Sequence, residues 1–368
     1  MKKLTLIFSV IAVSLHLTAQ ISEGGLPLSY KQGEIKSITE IATYRLPSMD
    51  TSALAGSDPS KQLPLRYAVL EEVDTDLKRS AKRTLLPDGG TLWQYRINST
   101  EGKSLQVIFR KYLVPEGARL WLYDDKYEVI RGAYSGINMT TDLMFVTGDF
   151  PGDHVIIEYY EPTGIMFEGE IIIGWVGQAF IDVLGLKSGN TDALGFIAVN
   201  CEEGIPYQNQ KHSVCKYSFN DGQYSYLCSG ALINNTRNDG TPYFLTAYHC
   251  INSESKAATI VAYFNFEEAS CTDISLYASQ TLSGTSLRTT GGLSDYTLLE
   301  FNDVVPSSYQ PFFAGWDAGE NPPLFSSCIH HPNGRTKKIS LDNDPAATNE
   351  ENLSWEGGSA SPAGSHWA

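Results

Sequence analysis

The run Leu245-Thr246-Ala247-Tyr248-His249-Cys250 is an apolar, strand-like stretch that ends by setting a histidine beside a cysteine. An imidazole that takes a proton from a hydroxyl has to be held in one orientation, and a half-cystine next to it would fix the backbone that carries it. Upstream, Cys228-Ser229-Gly230-Ala231-Leu232-Ile233 reads as a strand that could supply the partner thiol. Downstream, Asp295 opens the apolar run Tyr296-Thr297-Leu298-Leu299-Glu300-Phe301. A carboxylate there can be buried, accept the Nδ1–H of the base, fix its tautomer and stabilise the imidazolium. Asp295 follows His249 by 46 residues, a spacing that suits a triad in the order histidine, aspartate, serine. A lone histidine is more often a buried structural residue, and a lone aspartate before a strand more often a cap. Order and spacing together raise both above those ordinary fates.

Metal chemistry fits less well. The cysteines lack the CxxC-type spacing of a zinc site. His330 and His331 are adjacent, and neighbouring side chains on a strand point to opposite faces, so they cannot both face one ion without distortion. We expect no metal and no cofactor.

The elements that must position these residues read as strands throughout. In the first half, Thr91–Ile97, Ser104–Phe109, Arg119–Tyr123 and His154–Tyr160 are rich in β-branched and aromatic residues, separated by Pro-Asp-Gly-Gly, Pro-Glu-Gly and Pro-Gly-Asp turn clusters. Strand signals dominate from about Leu65 to Val183, and their spacing predicts a β-sandwich. In the second half Leu227–Ile233, Tyr243–Tyr248, Thr259–Phe264 and Tyr296–Phe301 read the same way. No helical period of useful length and no internal repeat is visible, so the expected class is all-β.

At 368 residues the chain is longer than the roughly 250–300 at which single cores stop growing, which predicts two or three domains. Lys2 and Lys3 precede an apolar stretch from Leu4 to Leu17, and Ala19-Gln20 offers a cleavage point: a secretory signal peptide over residues 1–20. That stretch is too short to span a bilayer, and no later one is long enough. Residues 21–64 are polar and broken by prolines, an extended lead-in. All six cysteines (Cys201, Cys215, Cys228, Cys250, Cys271 and Cys328) follow residue 200. An even number in an exported chain reads as disulfides, with fifteen possible connectivities. The cysteine-free and cysteine-rich halves are expected to be separate domains joined near Lys187-Ser188-Gly189-Asn190: residues 21–187, then 188–368. The net charge of −15, with no basic face visible in the sequence, argues against nucleic acid as a partner.

Cys-Ser-Gly-Ala-Leu-Ile followed by Leu-Thr-Ala-Tyr-His-Cys resembles the histidine region of trypsin-like serine proteases. With Val199-Asn200-Cys201-Glu202-Glu203-Gly204, Asn234-Asn235-Thr236, Phe264-Asn265-Phe266, Ala314-Gly315-Trp316-Asp317 and Ile329-His330-His331-Pro332-Asn333-Gly334, most of residues 199–368 resembles the bacterial lysyl endopeptidases. The resemblance implies a trypsin-like double β-barrel, endopeptidase activity on protein or peptide substrates, a preference for cleavage after lysine, and roles for His249 as general base and Asp295 as its orienting acid. It implies disulfides Cys228–Cys250 and Cys201–Cys271; Cys215–Cys328 then follows by elimination. An extra family cysteine just upstream of Cys201 is absent here, and one family disulfide with it. The first half resembles, through weaker motifs, the propeptides of such exported enzymes, which makes it a partner of the second half.

The serine is the difficulty. In this order it should follow the aspartate by roughly 90 residues, which from Asp295 falls beyond Ala368. The only look-alike, Gly357-Gly358-Ser359-Ala360-Ser361-Pro362, comes too early and lacks the glycine after the serine. Trp355-Glu356-Gly357-Gly358 and Ser365-His366-Trp367 resemble the approach to the family's nucleophile loop. The expectation is a secreted or cell-surface serine endopeptidase zymogen whose second barrel is incomplete in this sequence, truncated before its nucleophile and inactive as it stands. Lys187 would be a natural point of self-processing. The rival readings are an inactive pseudoprotease and a cell-surface binding protein.

Overall fold

The computed structural model describes residues 21–31, 41–50, 54, 64–184, 196–271, 280–319, 321–354 and 360–367. The signal-peptide reading of residues 1–20, the Lys187–Asn190 connection and Gly357-Gly358-Ser359 lie outside the described residues.

Along the first half run β1 (Ala42–Arg45), β2 (Leu65–Asp76), β3 (Lys82–Leu85), β4 (Thr91–Asn98), β5 (Ser104–Leu113), β6 (Arg119–Tyr123), β7 (Ile130–Tyr134), β8 (Phe145–Val146), β9 (Phe150–Pro151), β10 (His154–Glu161) and β11 (Glu170–Ala179). One sheet has the order β1-β4-β10-β6-β7, with β3 added to β4. Its inward residues, such as Ile97, Leu122 and Ile157, share a core with Val107, Phe109 and Ile173 from β5 and β11 of a second sheet. Two sheets thus close over one apolar layer. Alternation places every second side chain of a strand in that layer, and the β-branched and aromatic runs fill it.

The second half continues with β12 (Ile197–Ala198), β13 (Val214–Asn220), β14 (Tyr224–Ile233), β15 (Tyr243–Thr246), β16 (Val261–Tyr263), β17 (Thr281–Ser283), β18 (Thr285–Gly291), β19 (Tyr296–Phe301), β20 (Ser326–His330), β21 (Lys338–Asp342), β22 (Leu353–Ser354) and β23 (Ala360–Ser361). Strands β13 to β19 form a barrel-like sheet around Tyr217, Leu232, Phe244, Ile260, Leu299 and Phe301. Beyond it stand a three-stranded sheet, β12-β21-β20, and the hairpin β22-β23. The fold is mostly β. The helical segments described are six residues or shorter, the longest a 3-10 stretch over Glu202–Tyr207 with Pro206 inside it.

The composition marks a boundary that the hydrogen bonding does not. A single 12-stranded sheet runs β17-β16-β13-β14-β2-β11-β5-β8, with β9, β15, β18 and β19 paired off this path, so β2 lies between β11 of its own half and β14 of the second.

Two disulfides form, Cys201–Cys271 and Cys228–Cys250. The pair inferred by elimination does not: Cys215 and Cys328 are free thiols. Cys215 shares the inward row of β13 with Tyr217 and Phe219 and is sealed in the barrel core, whereas Cys328 is exposed on β20.

Candidate active site

The antiparallel register of β15 against β19 is what removes the 46-residue gap between His249 and Asp295. Phe244 faces Leu299 and Thr246 faces Thr297. The ladder runs one step past both strands, where the backbone N–H of Tyr248 donates to the carbonyl of Asp295 at 3.2 Å. His249 and Asp295 therefore sit at the open end of the same strand pair. Asp295 has φ +48° and ψ +40°, a left-handed conformation that aspartate tolerates better than most residues.

Both oxygens of the Asp295 carboxylate are used on His249. Oδ1 accepts the backbone N–H of His249 at 2.9 Å, and Oδ2 lies 2.7 Å from its ring Nδ1. An ionised carboxylate can only accept, so Nδ1 carries the proton and Nε2 of the neutral ring is left as the basic nitrogen. The Asp295 side chain is 10% exposed and the His249 side chain 25%, so the acid is shielded while the ring keeps a face to solvent.

The two arms are braced by hydroxyls that the sequence did not single out. Thr246 Oγ1 donates to the Ser229 carbonyl at 3.0 Å and lies 2.7 Å from the Tyr217 hydroxyl. Burial, with the Asp295 charge as a smaller contribution, holds that phenol well above its ordinary range. Thr297 Oγ1 donates to the Ile251 carbonyl at 2.6 Å, joining β19 to the turn after Cys250. On the other side, the Cys228–Cys250 disulfide binds the residue after His249 to β14.

His331 belongs to the same scaffold. Its backbone N–H donates to Ser229 Oγ at 2.9 Å, and its ring Nδ1 lies 2.9 Å from the Arg335 carbonyl. Burial, then the nearby Lys337 charge, keeps the imidazole well below its usual value and so neutral. His330 packs edge-on against Phe196. The only sequence signal for these braces was the presence of threonine and serine inside the two motifs.

One cluster has the elements of a metal site: the sulfurs of Cys228 and Cys250 and a ring nitrogen of His249 lie within 4.8 Å of one another. Both sulfurs are consumed in a disulfide, so neither offers the thiolate a metal needs. Ser361 is buried and packs beside the Gly292–Ser294 turn, and its hydroxyl donates to the Leu293 carbonyl. Among the described residues, no serine hydroxyl is hydrogen-bonded to the His249 ring.

Residues 195–368 match the family model described as "Lysyl endopeptidase, C-terminal domain". Over 281 residues the chain is 24% identical to a lysyl endopeptidase of Pseudomonas aeruginosa, an alignment covering 70% of this chain and 59% of that protein. The chain thus spans less than two thirds of that relative's length. Among solved structures, a thermostable serine protease from an extremophilic microorganism aligns with 43% of this chain and 79% of its own, at 12% identity and a TM-score of 0.29.

Proposed function

We propose that the second half is the catalytic domain of a serine endopeptidase in which His249 is the general base and Asp295 its orienting acid. The observation that carries this reading is the two-point grip of one carboxylate on His249, at 2.9 Å to its backbone and 2.7 Å to its ring. A carboxylate that only bridged two strands would have no reason to select a ring tautomer. This one does, and it leaves Nε2 ready to take a hydroxyl proton.

The attacking hydroxyl belongs to a serine outside the described residues. As it attacks a peptide carbonyl, its proton passes to Nε2, and Asp295 stabilises the imidazolium that forms. The same Nε2–H then protonates the leaving amine, so the proton taken in the first half of the step is returned in the second. The name of the Pseudomonas relative extends the proposal to cleavage after lysine. The Lys-Lys start and apolar stretch support export through a signal peptide over residues 1–20, and residues 21–187 are read as a propeptide removed after Lys187.

The test is a serine-directed phosphonate probe applied to the full natural gene product, with and without His249→Ala. Stoichiometric labelling that disappears in the variant is the expected result. Equal labelling of both proteins, or of neither, would discard the assignment of His249.

A further inference from the structure

The seam between the two halves is built unlike a contact between domains that merely touch. Strand β2 pairs antiparallel with β14, with Leu65 opposite Leu227 and Val69 opposite Tyr224. Strand β2 has a partner on its second edge only through β14, and the Tyr224–Leu227 end of β14, short of where β15 joins it, is covered only by β2; parted, both would present open backbone donors and acceptors there. Apolar packing continues across the join. Ile108 and Val146 of the first half share a buried cluster with Val261, Tyr263 and Phe266 of the second.

Set in this apolar surround is a carboxylate. Asp149 is 3% exposed. Its Oδ2 accepts the hydroxyl of Tyr263, from the second half, at 2.6 Å, and its backbone N–H donates to the same hydroxyl oxygen at 3.0 Å. Tyr67 of β2 donates to the carboxylate at 3.2 Å. Nearby, Lys216 of β13 is fully buried, donates from Nζ to the Val183 carbonyl of the first half at 2.7 Å, and lies 3.4 Å from the Phe266 ring centroid. Burial pulls its ammonium down to about 7, while Asp149, then Asp182, act to raise it. A carboxylate from one half thus fits a socket of phenol and ammonium on the other.

We propose that residues 64–184 and the second half form a two-piece complex that persists when the chain between them is severed, with strand addition supplying its area and the Asp149 socket its specificity. An apolar face alone would accept many partners. A buried carboxylate brought by the segment between β8 and β9 and matched by Tyr263 and a nearby Lys216 rejects any partner that places no acid there, because the phenol and the ammonium would then be buried without it. The partner that fits the open edge of β14 is the chain's own first half. This holds whether or not His249 is catalytic.

The experiment uses the full chain carrying His249→Ala, to remove any activity of its own, and a foreign protease site placed within residues 185–195. After cutting, the two pieces should co-elute on size exclusion even on dilution. Asp149→Ala should raise their rate of separation about 100-fold, as removing one partner of a buried polar pair does at interfaces. Tyr263→Phe, which removes one hydroxyl and keeps the ring, should raise it by about 5–10-fold. Circular dichroism of the uncut variants shows whether each folds; if Asp149→Ala does not, Tyr263→Phe carries the test. Pieces that part immediately on cutting would overturn the proposal, as would folded variants whose separation rates equal that of the parent.

Discussion

At the scale of single residues, Asp295 has two separable tasks, since one oxygen holds the His249 backbone and the other its ring. Asp295→Asn keeps the shape and tolerates the left-handed backbone, so stability should change by less than about 1 kcal/mol. The amide nitrogen, if turned to the ring, forces the proton onto Nε2, the nitrogen that has to accept one. In the active gene product kcat should therefore fall about 10³–10⁴-fold, measured on a lysyl peptide ester, with KM little altered. An unchanged kcat would make Asp295 a purely structural brace. This pair was legible in the sequence because each member sits in a local motif with its own strand. The cysteines show the opposite case. Pairing Cys215 with Cys328 by elimination assumes that every cysteine in an exported chain is oxidised, and nothing local says which way a side chain on β13 points. Burial pushes the Cys215 thiol up to about 12, which adds to its inaccessibility. Under native conditions a soluble thiol reagent should titrate one group, Cys328, and a second only on unfolding. No titratable thiol in either state would restore the disulfide.

At the scale of elements, the strands carrying the site depend on close packing that begins at Gly230. A Cβ on Gly230 would lie 2.5 Å from the Phe244 ring and 2.9 Å from the Leu245 carbonyl. Both contacts belong to β15, the strand that leads to His249, so β15 can lie on β14 only if this position has no side chain. Gly230→Ala should cost about 1–3 kcal/mol in urea unfolding, the usual penalty for overpacking a core. It should also lower kcat more than KM, because the displaced strand carries the base. A variant as stable and active as the parent would mean that Phe244 swings aside freely. Composition alone bounds the strands Arg119–Tyr123 and Tyr296–Phe301, whose apolar and aromatic runs end with them. Tyr243–Thr246 was read two residues too long, because the ladder stops where the chain turns to present His249. The partners of β2 could not be read at all. Leu65–Asp76 has the composition of a strand, but which edges it joins depends on residues more than 90 positions away.

At the scale of the molecule, composition and connectivity give different divisions. Cysteines confined to one half predict two domains, each with its own core; of the two large clusters of buried residues, one draws on residues 46–176 and the other on residues 215–309. The sheet does not divide there, since β2 and β14 hydrogen-bond across the boundary and smaller clusters straddle it. Cooperativity follows the strength of the coupling rather than the number of cores. Unfolding the second half alone would leave β2 as a bare edge and Asp149 without Tyr263, a penalty of several kcal/mol set against a total stability of about 5–15 kcal/mol for a domain. Calorimetry of the uncut chain at neutral pH should therefore show one transition, with the calorimetric enthalpy equal to the van't Hoff enthalpy. Asp149→Ala weakens the coupling while touching neither large core, and should split that transition into two. Two transitions already present in the parent would mean that each core outweighs the seam, and the halves would then be domains in the thermodynamic as well as the compositional sense.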